Sequence, residues 1–279
     1  MSYKSMTGID VSKHQGVIDW SKVKTDFAIL RAGFGRCTSQ KDPQFERNYA
    51  GAKAAGIPVG AYWYSYARSA EEAREEAKAC LQVLKGKQFE FPIYFDIEDS
   101  TQEFLGKAVL TAMCEAFCDT LEKAGYFAGV YASTYWFTNK LDHARLASKY
   151  TIWLADYRAG YNKTLKRDMH QYTSNGHVEG IAGRVDRNTC TRDFPGTIKK
   201  AGLNGFGKAD KPLAGENGAQ AASYTREIGP AAREDWTRLA DKAEALGLRV
   251  RAKLTIGPMT GGDDVAIQAL ATELGLKCT

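Results

Sequence analysis

The sequence predicts an α/β fold in which strands alternate with helices and close into a TIM-like barrel. From the start of the chain to about residue 194, short apolar runs alternate with amphipathic stretches. This alternation is typical of parallel β/α architecture. Eight apolar runs occur, which is the number of strands in a closed β/α barrel. The predicted strands are 7–11, 27–32, 58–66, 92–97, 127–132, 151–155, 169–172 and 183–186.

The helical pattern is clear only in the first half of the chain. Amphipathic helices are predicted over residues 42–55, 70–84 and 109–124. Between the later strands the periodicity fades, and residues 156–168 contain Gly160 and Asn162 without a helical repeat. A barrel that lacks some of its later outer helices therefore fits the sequence better than a regular one.

The composition changes after the predicted barrel, residues 1–198. Five glycines and a proline fall between residues 202 and 218, and we interpret residues 199–222 as a linker. Residues 223–279 contain an internal repeat, with IGP at 228–230 and 256–258 and LGL at 246–248 and 274–276. Each unit predicts one strand and one helix, which gives a small α+β domain. Because two such units form only a marginal core, we expect residues 223–279 to self-associate or to pack on the barrel.

Composition and charge exclude several classes of protein. The chain is 44% hydrophobic and 25% charged, as in a globular protein with a large core. Its net charge of +5 includes no run of five or six like charges, which does not indicate nucleic-acid binding. No apolar run approaches the roughly 20 residues of a membrane span, so we expect no membrane insertion. The strand pattern begins almost at once, so we expect no signal peptide and synthesis in the cytoplasm.

Two acidic residues, Asp96 and Glu98, lie two positions apart at the end of the fourth predicted strand, in PIYFDIED. Because side chains alternate along a strand, both project from one face, with their roots about 6–7 Å apart. In a barrel that face points inward, and active sites gather at the carboxyl ends of the strands. Burying two carboxylates costs several kcal/mol unless they are paired or share a proton, which favours a functional role.

Asp10 and Asp186 end the first and eighth predicted strands, which are neighbours in a closed barrel. We therefore expect four acids to face one cleft. Mutual repulsion and burial raise the pKa of some carboxyls, which keeps a glutamic acid protonated near neutral pH. Cleavage of a glycosidic bond uses such a pair, one carboxylic acid and one carboxylate. For Asp99 and the Ser100 that follows it, a role in helix capping or in a loop is preferred.

Aromatic residues gather at the same strand ends. Flat rings stack on sugar faces while their polar tips bind hydroxyl groups, although about half of these rings are expected to fill the barrel instead. Tyr64 and Tyr131 are the preferred candidates for sugar contact. The full set is Tyr62, Tyr64, Tyr66, Tyr131, Trp153, Tyr157 and Tyr172. The four histidines fall in unrelated segments with no HxH pair, and we expect neither a metal nor another cofactor.

The order of the motifs resembles one known family. GIDVSKHQGVIDW, FAILRAGFG, PVGAYWYSYA, PIYFDIED, GVYAS, TIWLADY, HQYTSNG and GIAGRVDRN occur in the order seen in the Chalaropsis-type lysozymes, glycoside hydrolase family 25. The resemblance runs from Gly8 to about Asn188. It implies a (β/α)5(β)3 barrel with five helices. It also implies hydrolysis of the β-1,4 bond between N-acetylmuramic acid and N-acetylglucosamine in bacterial peptidoglycan.

The resemblance also implies roles for individual residues. Glu98 is expected to be the general acid, and Asp96 the partner that positions or stabilises the reacting sugar through its acetamido group. Asp10 and Asp186 are expected to be acidic members of the site. The residues expected to line the cleft are Tyr62, Tyr64, Arg31, Trp153, Asp156 and Gln171. Both a covalent and a substrate-assisted intermediate stay open.

The C-terminal repeat resembles the wall-targeting or oligomerising modules of phage endolysins. This layout implies a phage or prophage endolysin that reaches the cell wall after release from the host cytoplasm. Two other functions are the nearest rivals of this interpretation. A chitinase-like hydrolase would require an aspartate at the position of Tyr94, in the pattern DxxDxDxE. A non-catalytic protein that binds cell wall on a barrel scaffold is the alternative from another class, and the intact acids favour an enzyme instead.

Overall fold

The computed structural model describes residues 5–160 and 163–207, which form a closed eight-stranded β-barrel with helices around it. The strands follow chain order, and β1 closes the barrel by pairing with β8. The predicted number of strands and the predicted closure are both confirmed. The strands are β1 (Met6–Val11), β2 (Phe27–Phe34), β3 (Val59–Tyr64), β4 (Ile93–Asp96), β5 (Ala128–Ser133), β6 (Thr151–Ala155), β7 (Met169–Gly176) and β8 (Val185–Cys190).

The direction of the last strand differs from the predicted parallel pattern. Neighbours from β1 to β7 are parallel, whereas β8 is antiparallel to both β7 and β1. The predicted strand 183–186 overlaps only the first residues of β8. Asp186 therefore begins this strand and does not end it. Because β8 runs in the opposite direction, its beginning lies at the rim where the other strands end.

Five α-helices occur in the described residues: α1 (Phe45–Ala54), α2 (Ala70–Leu84), α3 (Lys107–Lys123), α4 (His143–Lys149) and α5 (Phe194–Ala201). The bounds of α2 match the prediction, since the Ser69 hydroxyl caps its first turn by accepting from the Glu72 amide. The predicted helix 42–55 starts too early, because Asp42 binds neighbouring groups ahead of α1. The number of helices agrees with the resemblance, but only a short 3-10 turn joins β1 to β2, and α5 follows β8.

Side-chain alternation along the strands divides the core into two layers. Outward-pointing residues such as Leu30 and Phe95 pack beneath the helices. Inward-pointing residues such as Tyr94 and Trp153 fill the barrel. Gly129 makes room for this filling, because a Cβ at that position would lie 2.6 Å from the Tyr94 ring. The barrel interior is therefore solid, and the polar residues at the carboxyl ends of the strands lie above an apolar floor.

The first residues of the predicted linker belong to the folded barrel. Residue 199 lies inside α5, and the buried Asn204 ties the following segment to the chain before β4 and β5. Its side chain donates to the Phe91 carbonyl (2.9 Å) and accepts from the Phe127 amide (2.6 Å). The predicted repeat domain, residues 223–279, lies outside the described residues. None of the described helices has the length and apolar character needed to cross a membrane.

Candidate active site

β4 places Asp96 and Glu98 on the inner side of the barrel. Phe95 and Ile97, which alternate with them, pack in the outer core beneath the helices. Asp96 is buried at 4% exposure, and Glu98, just beyond the end of the strand, is half-buried. The two acids therefore share one face, as their spacing predicts.

The other two acids meet this pair at the same rim. Asp10 on β1 and Asp186 on β8 are direct partners in the antiparallel register. The charge of Asp186 acts on both Asp10 and Glu98, and the charge of Asp10 acts on Asp96. The four acids consequently form one electrostatic cluster at the mouth of the barrel.

Burial is the main cause of the raised pKa values in this cluster. Burial, followed by the charge of Asp186, raises the pKa of Asp10 to about 8. Burial, followed by the charges of Glu98 and Asp10, raises the pKa of Asp96 well above its usual value. Burial, followed by the charge of Asp186, raises the pKa of Glu98 to about 7. Burial also raises the pKa of Asp186. The cluster therefore retains protons at neutral pH, and Glu98 is suited to donate one.

Two amide side chains hold Asp10 in place. Gln171 on β7 and Asn188 on β8 both donate to Asp10 Oδ2, at 2.9 and 2.8 Å. Both hydrogen bonds lower the pKa of Asp10, but burial outweighs them. Because Oδ2 accepts twice, a proton on this carboxyl resides on Oδ1.

Three aromatic side chains fix the orientation of these amides. The hydroxyl groups of Tyr131 and Tyr157 donate to Gln171 Oε1, at 2.9 and 2.7 Å. The indole of Trp153 donates to Asn188 Oδ1 at 2.8 Å. Each amide oxygen is thereby occupied by a donor, so each NH₂ group must face Asp10. Gln171 on β7 and Asn188 on β8 together fix the Asp10 carboxyl.

This network corrects the expected role of Trp153. The resemblance placed its side chain at the cleft surface, but only 1% of the residue is exposed. Its ring is packed against those of Tyr62, Tyr94 and Tyr131 inside the barrel. Trp153 consequently lies beneath the cleft, where it has no exposed face for a sugar and instead orients Asn188.

Arg31 and Asp96 have unused hydrogen-bonding capacity. Arg31 Nε donates to Asp42 Oδ2 at 2.6 Å, whereas Arg31 Nη2 and Asp96 Oδ1 are buried and have no partner among the described residues. The positive charge of Arg31 lowers the pKa of Asp96, against the larger effect of burial. Buried polar groups usually have a partner, so such orphans are expected where a ligand supplies one.

Tyr64 connects β3 to the segment that carries Glu98. It is the register partner of Asp96, and its hydroxyl donates to Asp99 Oδ2 at 3.0 Å. Asp99 also accepts from the Thr101 amide at 2.9 Å, which caps the short helix after β4, as predicted. The hydroxyl of Tyr64 therefore has a structural partner as well as a position near the acids.

A pocket of about 580 Å³ opens beside Glu98, at the ends of β5 and β6. Its size is within the usual range of small-ligand sites, about 300–1,000 Å³. The residues that line it include Glu98, Tyr131, Tyr135, Asp156, Tyr157 and Arg158. Asp156 was expected to line the cleft, and both of its oxygens are engaged there by Thr134 and Arg158.

Asn188 and Arg158 complete the site, although the sequence did not single them out as site residues. Tyr157, which the sequence placed among the aromatic residues at the strand ends, lines the pocket. The sequence spacing could have identified Asn188, because this residue lies two positions after Asp186. The two side chains must therefore share one face of the strand, as those of Asp96 and Glu98 do. Arg158 had no such signal, since it follows a strand in a segment without periodicity.

Comparison with known proteins places this geometry in a family. The sequence model described as "Glycosyl hydrolases family 25" matches residues 9–181, more than half of the chain. The chain belongs to this family. The matched segment includes Asp10, Asp96 and Glu98, whereas Asp186 and Asn188 lie just beyond it. This family is generally one of peptidoglycan-hydrolysing muramidases.

Relatives and solved structures of family 25 resemble the chain at modest identity. The uncharacterized protein YegX of Escherichia coli is 30% identical over 71% of this chain and 72% of its own length. The lysozyme of Streptomyces coelicolor superimposes with a TM-score of 0.61 at 25% identity, over 71% of this chain and 97% of that one. The autolysin LytC of Streptococcus pneumoniae, in complex with a synthetic peptidoglycan ligand, gives 0.59 at 27% identity, over 66% of this chain. The match spans less than half of LytC, 46%.

Proposed function

We propose that this protein is an N-acetylmuramidase, which hydrolyses the β-1,4 bond between N-acetylmuramic acid and N-acetylglucosamine in bacterial peptidoglycan. The observation that carries the proposal is Glu98, half-buried at the edge of a pocket with its pKa raised to about 7. A carboxyl with this pKa is partly protonated at neutral pH and can donate to the leaving oxygen. Membership of family 25 supports the substrate class.

In the proposed chemistry, Glu98 and Asp96 have different roles. Glu98 protonates the glycosidic oxygen, and the bond to the anomeric carbon breaks. Asp96 has a buried oxygen with no partner in the described part of the chain, and this oxygen accepts from the acetamido N–H of the reacting sugar. Asp186 contributes negative charge that stabilises the positive character of the sugar in the transition state, and Asp10, whose pKa is raised to about 8, contributes only when it ionises. Water then attacks the anomeric carbon of either a glycosyl-enzyme or a substrate-assisted intermediate, and its proton returns to the Glu98 carboxylate.

The proposal is tested by the ends that the protein creates in purified murein. Digested murein is reduced with borohydride and hydrolysed, and the labelled sugar is identified. Reduced muramic acid is the expected product, whereas reduced glucosamine would indicate a glucosaminidase, and the absence of new ends would refute glycosidase activity.

The matched variants are Glu98→Gln and Glu103→Gln, the second an exposed glutamate nearby. Glu98→Gln should release no new ends, while the protein still sediments with the walls. Glu103→Gln should match the wild type. Full activity in Glu98→Gln would refute the assignment of the acid, and sedimentation without hydrolysis in the wild type would favour a non-catalytic wall binder.

The endolysin role and the self-association of residues 223–279 stay predictions from the sequence. The predicted self-association is tested by light scattering, which compares the full chain with a chain that ends at residue 207. The full chain should give a mass above that of one copy, and the shorter chain should be monomeric. Equal, monomeric behaviour of both would count against an oligomerising role for residues 223–279.

A further inference from the structure

The pocket beside Glu98 is lined by an exposed cation as well as by this acid. Arg158, just after β6, has a side chain that is 70% exposed, whereas the Asp156 side chain beneath it is only 2% exposed. The pair is formally neutral, but the carboxylate is buried and the guanidinium faces the pocket. A ligand in this pocket therefore meets positive charge at Arg158.

Asp156 holds Arg158 in one orientation. Arg158 Nε donates to Asp156 Oδ1 at 2.8 Å, and Nη2 donates to Oδ2 at 2.6 Å. The Arg158 amide also donates to Oδ1, and the Thr134 hydroxyl donates to Oδ2 at 2.7 Å. Each carboxylate oxygen thus accepts twice, which uses its lone pairs. Arg158 Nη1 has no partner among the described residues, and a fixed guanidinium loses little entropy when it binds a second anion.

Two exposed tyrosines line the same pocket. Tyr135 and Tyr157 are 50% and 53% exposed, among the most exposed large aromatic residues of the described chain. Their rings offer apolar faces of the kind that stack on sugars. The hydroxyl of Tyr157 is bonded to Gln171, so this ring is fixed relative to the acid cluster. The pocket consequently combines a proton donor, aromatic faces and a cation in one volume.

We propose that Arg158 is a specificity-determining residue that binds a carboxylate of the substrate. The inference rests on the proposed muramidase function and adds the recognition of a charged group beside the cleaved bond. A guanidinium recognises a carboxylate through charge-assisted hydrogen bonds, which are stronger than neutral ones. Murein contains two sources of carboxylate near a glycosidic bond: the lactyl ether of the muramic residue when it carries no peptide, and the stem peptide when it does.

The test measures kcat and KM on three soluble glycan substrates. The first is free of stem peptides and has its lactyl carboxylates exposed. The second is the same material with those carboxylates converted to neutral methylamides. The third retains its stem peptides. The proteins are the wild type, Arg158→Gln and Arg36→Gln, an exposed arginine outside the pocket.

Arg158→Gln should raise KM about tenfold on a carboxylate-bearing substrate. It should leave kcat, and the KM for the methylamide, within about twofold of the wild-type values. This pattern is expected when one charged hydrogen bond is lost that forms in the ground state and the transition state alike. An effect on the first substrate identifies the lactyl carboxylate, and an effect on the third alone identifies the peptide. Arg36→Gln should change none of these values. An equal loss on the methylamide, or no change on either charged substrate, would overturn the proposal.

A second variant separates recognition from folding. Arg158→Gln leaves the buried Asp156 without its cation, whereas the double variant Asp156→Asn with Arg158→Gln removes both charges. The double variant should melt near the wild-type temperature and show the same selective rise in KM. Calorimetric binding in a Glu98→Gln background repeats the comparison without hydrolysis. A wild type that cuts none of the glycans would refute the muramidase, while the binding arm would still decide the role of Arg158.

Discussion

The acids on the two sides of the barrel mouth differ in their hydrogen-bond partners. On the β1, β7 and β8 side, Asp10 Oδ2 accepts from both Gln171 and Asn188, which are themselves oriented by aromatic donors. On the β4 side, Asp96 Oδ1 is buried without a partner among the described residues. Asp10 is therefore built into the scaffold, whereas Asp96 keeps hydrogen-bonding capacity for a ligand. We infer that stability is concentrated on the first side and chemistry on the second.

The largest effect on activity is expected on the β4 side, at Asp96. Asp96→Asn should lower kcat by at least about a hundredfold, because an amide, unlike a carboxyl, cannot take up the negative charge that would stabilise the reacting sugar in the transition state. The same change should leave the melting temperature unchanged or raise it, since a buried and unpaired carboxyl is costly. Rates of reducing-end release and thermal melts measure the two quantities. A melting temperature clearly below that of the wild type would contradict the comparison, and the exposed Asp19→Asn provides the control.

On the side of β1, β7 and β8, we expect a substitution to reduce stability and to affect activity less. Asn188→Ala removes a donor to Asp10 and leaves the buried indole N–H of Trp153 without an acceptor. We expect a loss of stability of about 2 kcal/mol, with a smaller loss of activity than in Asp96→Asn. Urea unfolding followed by circular dichroism measures the stability. An unfolding midpoint equal to that of the wild type would show that the network does not hold the acid.

The charge cluster that links the two sides should be visible in the pH profile. Catalysis requires protonated Glu98, whose raised pKa is about 7, so activity should fall as the pH rises through this value. Asp186→Asn removes the charge that, after burial, raises this pKa most. The pKa of Glu98 should then decrease, and the alkaline limb should move to lower pH. If the Asp186→Asn variant is active but its alkaline limb does not move, this limb reports the titration of a group other than Glu98.

The same raised pKa values predict the dependence of stability on pH. A carboxyl whose pKa is higher in the folded than in the unfolded protein binds its proton more tightly when folded. Asp10, at about 8, and Glu98, at about 7, should therefore make the protein less stable as the pH rises from about 4 towards 8. Melts of the wild type and of Glu98→Gln across this range test the point. The variant should show the shallower decline, and parallel curves would refute it.

The smallest expected effect concerns the link between β3 and the end of β4. Tyr64→Phe removes the hydroxyl that donates to Asp99 and leaves the ring in place. Since Asp99 keeps its bonds to Thr101, we expect a loss of activity of only about threefold, within the range of one partly exposed hydrogen bond. A loss comparable to that of Asp96→Asn would assign the Tyr64 hydroxyl a direct part in catalysis.

The sequence by itself determined the barrel, its eight strands and the shared face of Asp96 and Glu98. These properties follow from local periodicity, because alternation along a strand fixes which residues point inward. It also placed Asp186 near Asp10, although for an incomplete reason, since the direction of β8 was not visible in its residues. Strand direction depends on which partner a segment pairs with, and local pattern does not encode that choice.

Only the tertiary structure decided which acids have partners. The bonds from Gln171 and Asn188 to Asp10 join residues more than 150 positions apart in the chain, and no spacing rule reaches so far. The burial of Trp153 and the exposure of Arg158 above Asp156 were settled in the same way, by the packing of neighbouring strand ends. Periodicity shows that a side chain faces the barrel interior, but its depth and its partners arise when the strands assemble.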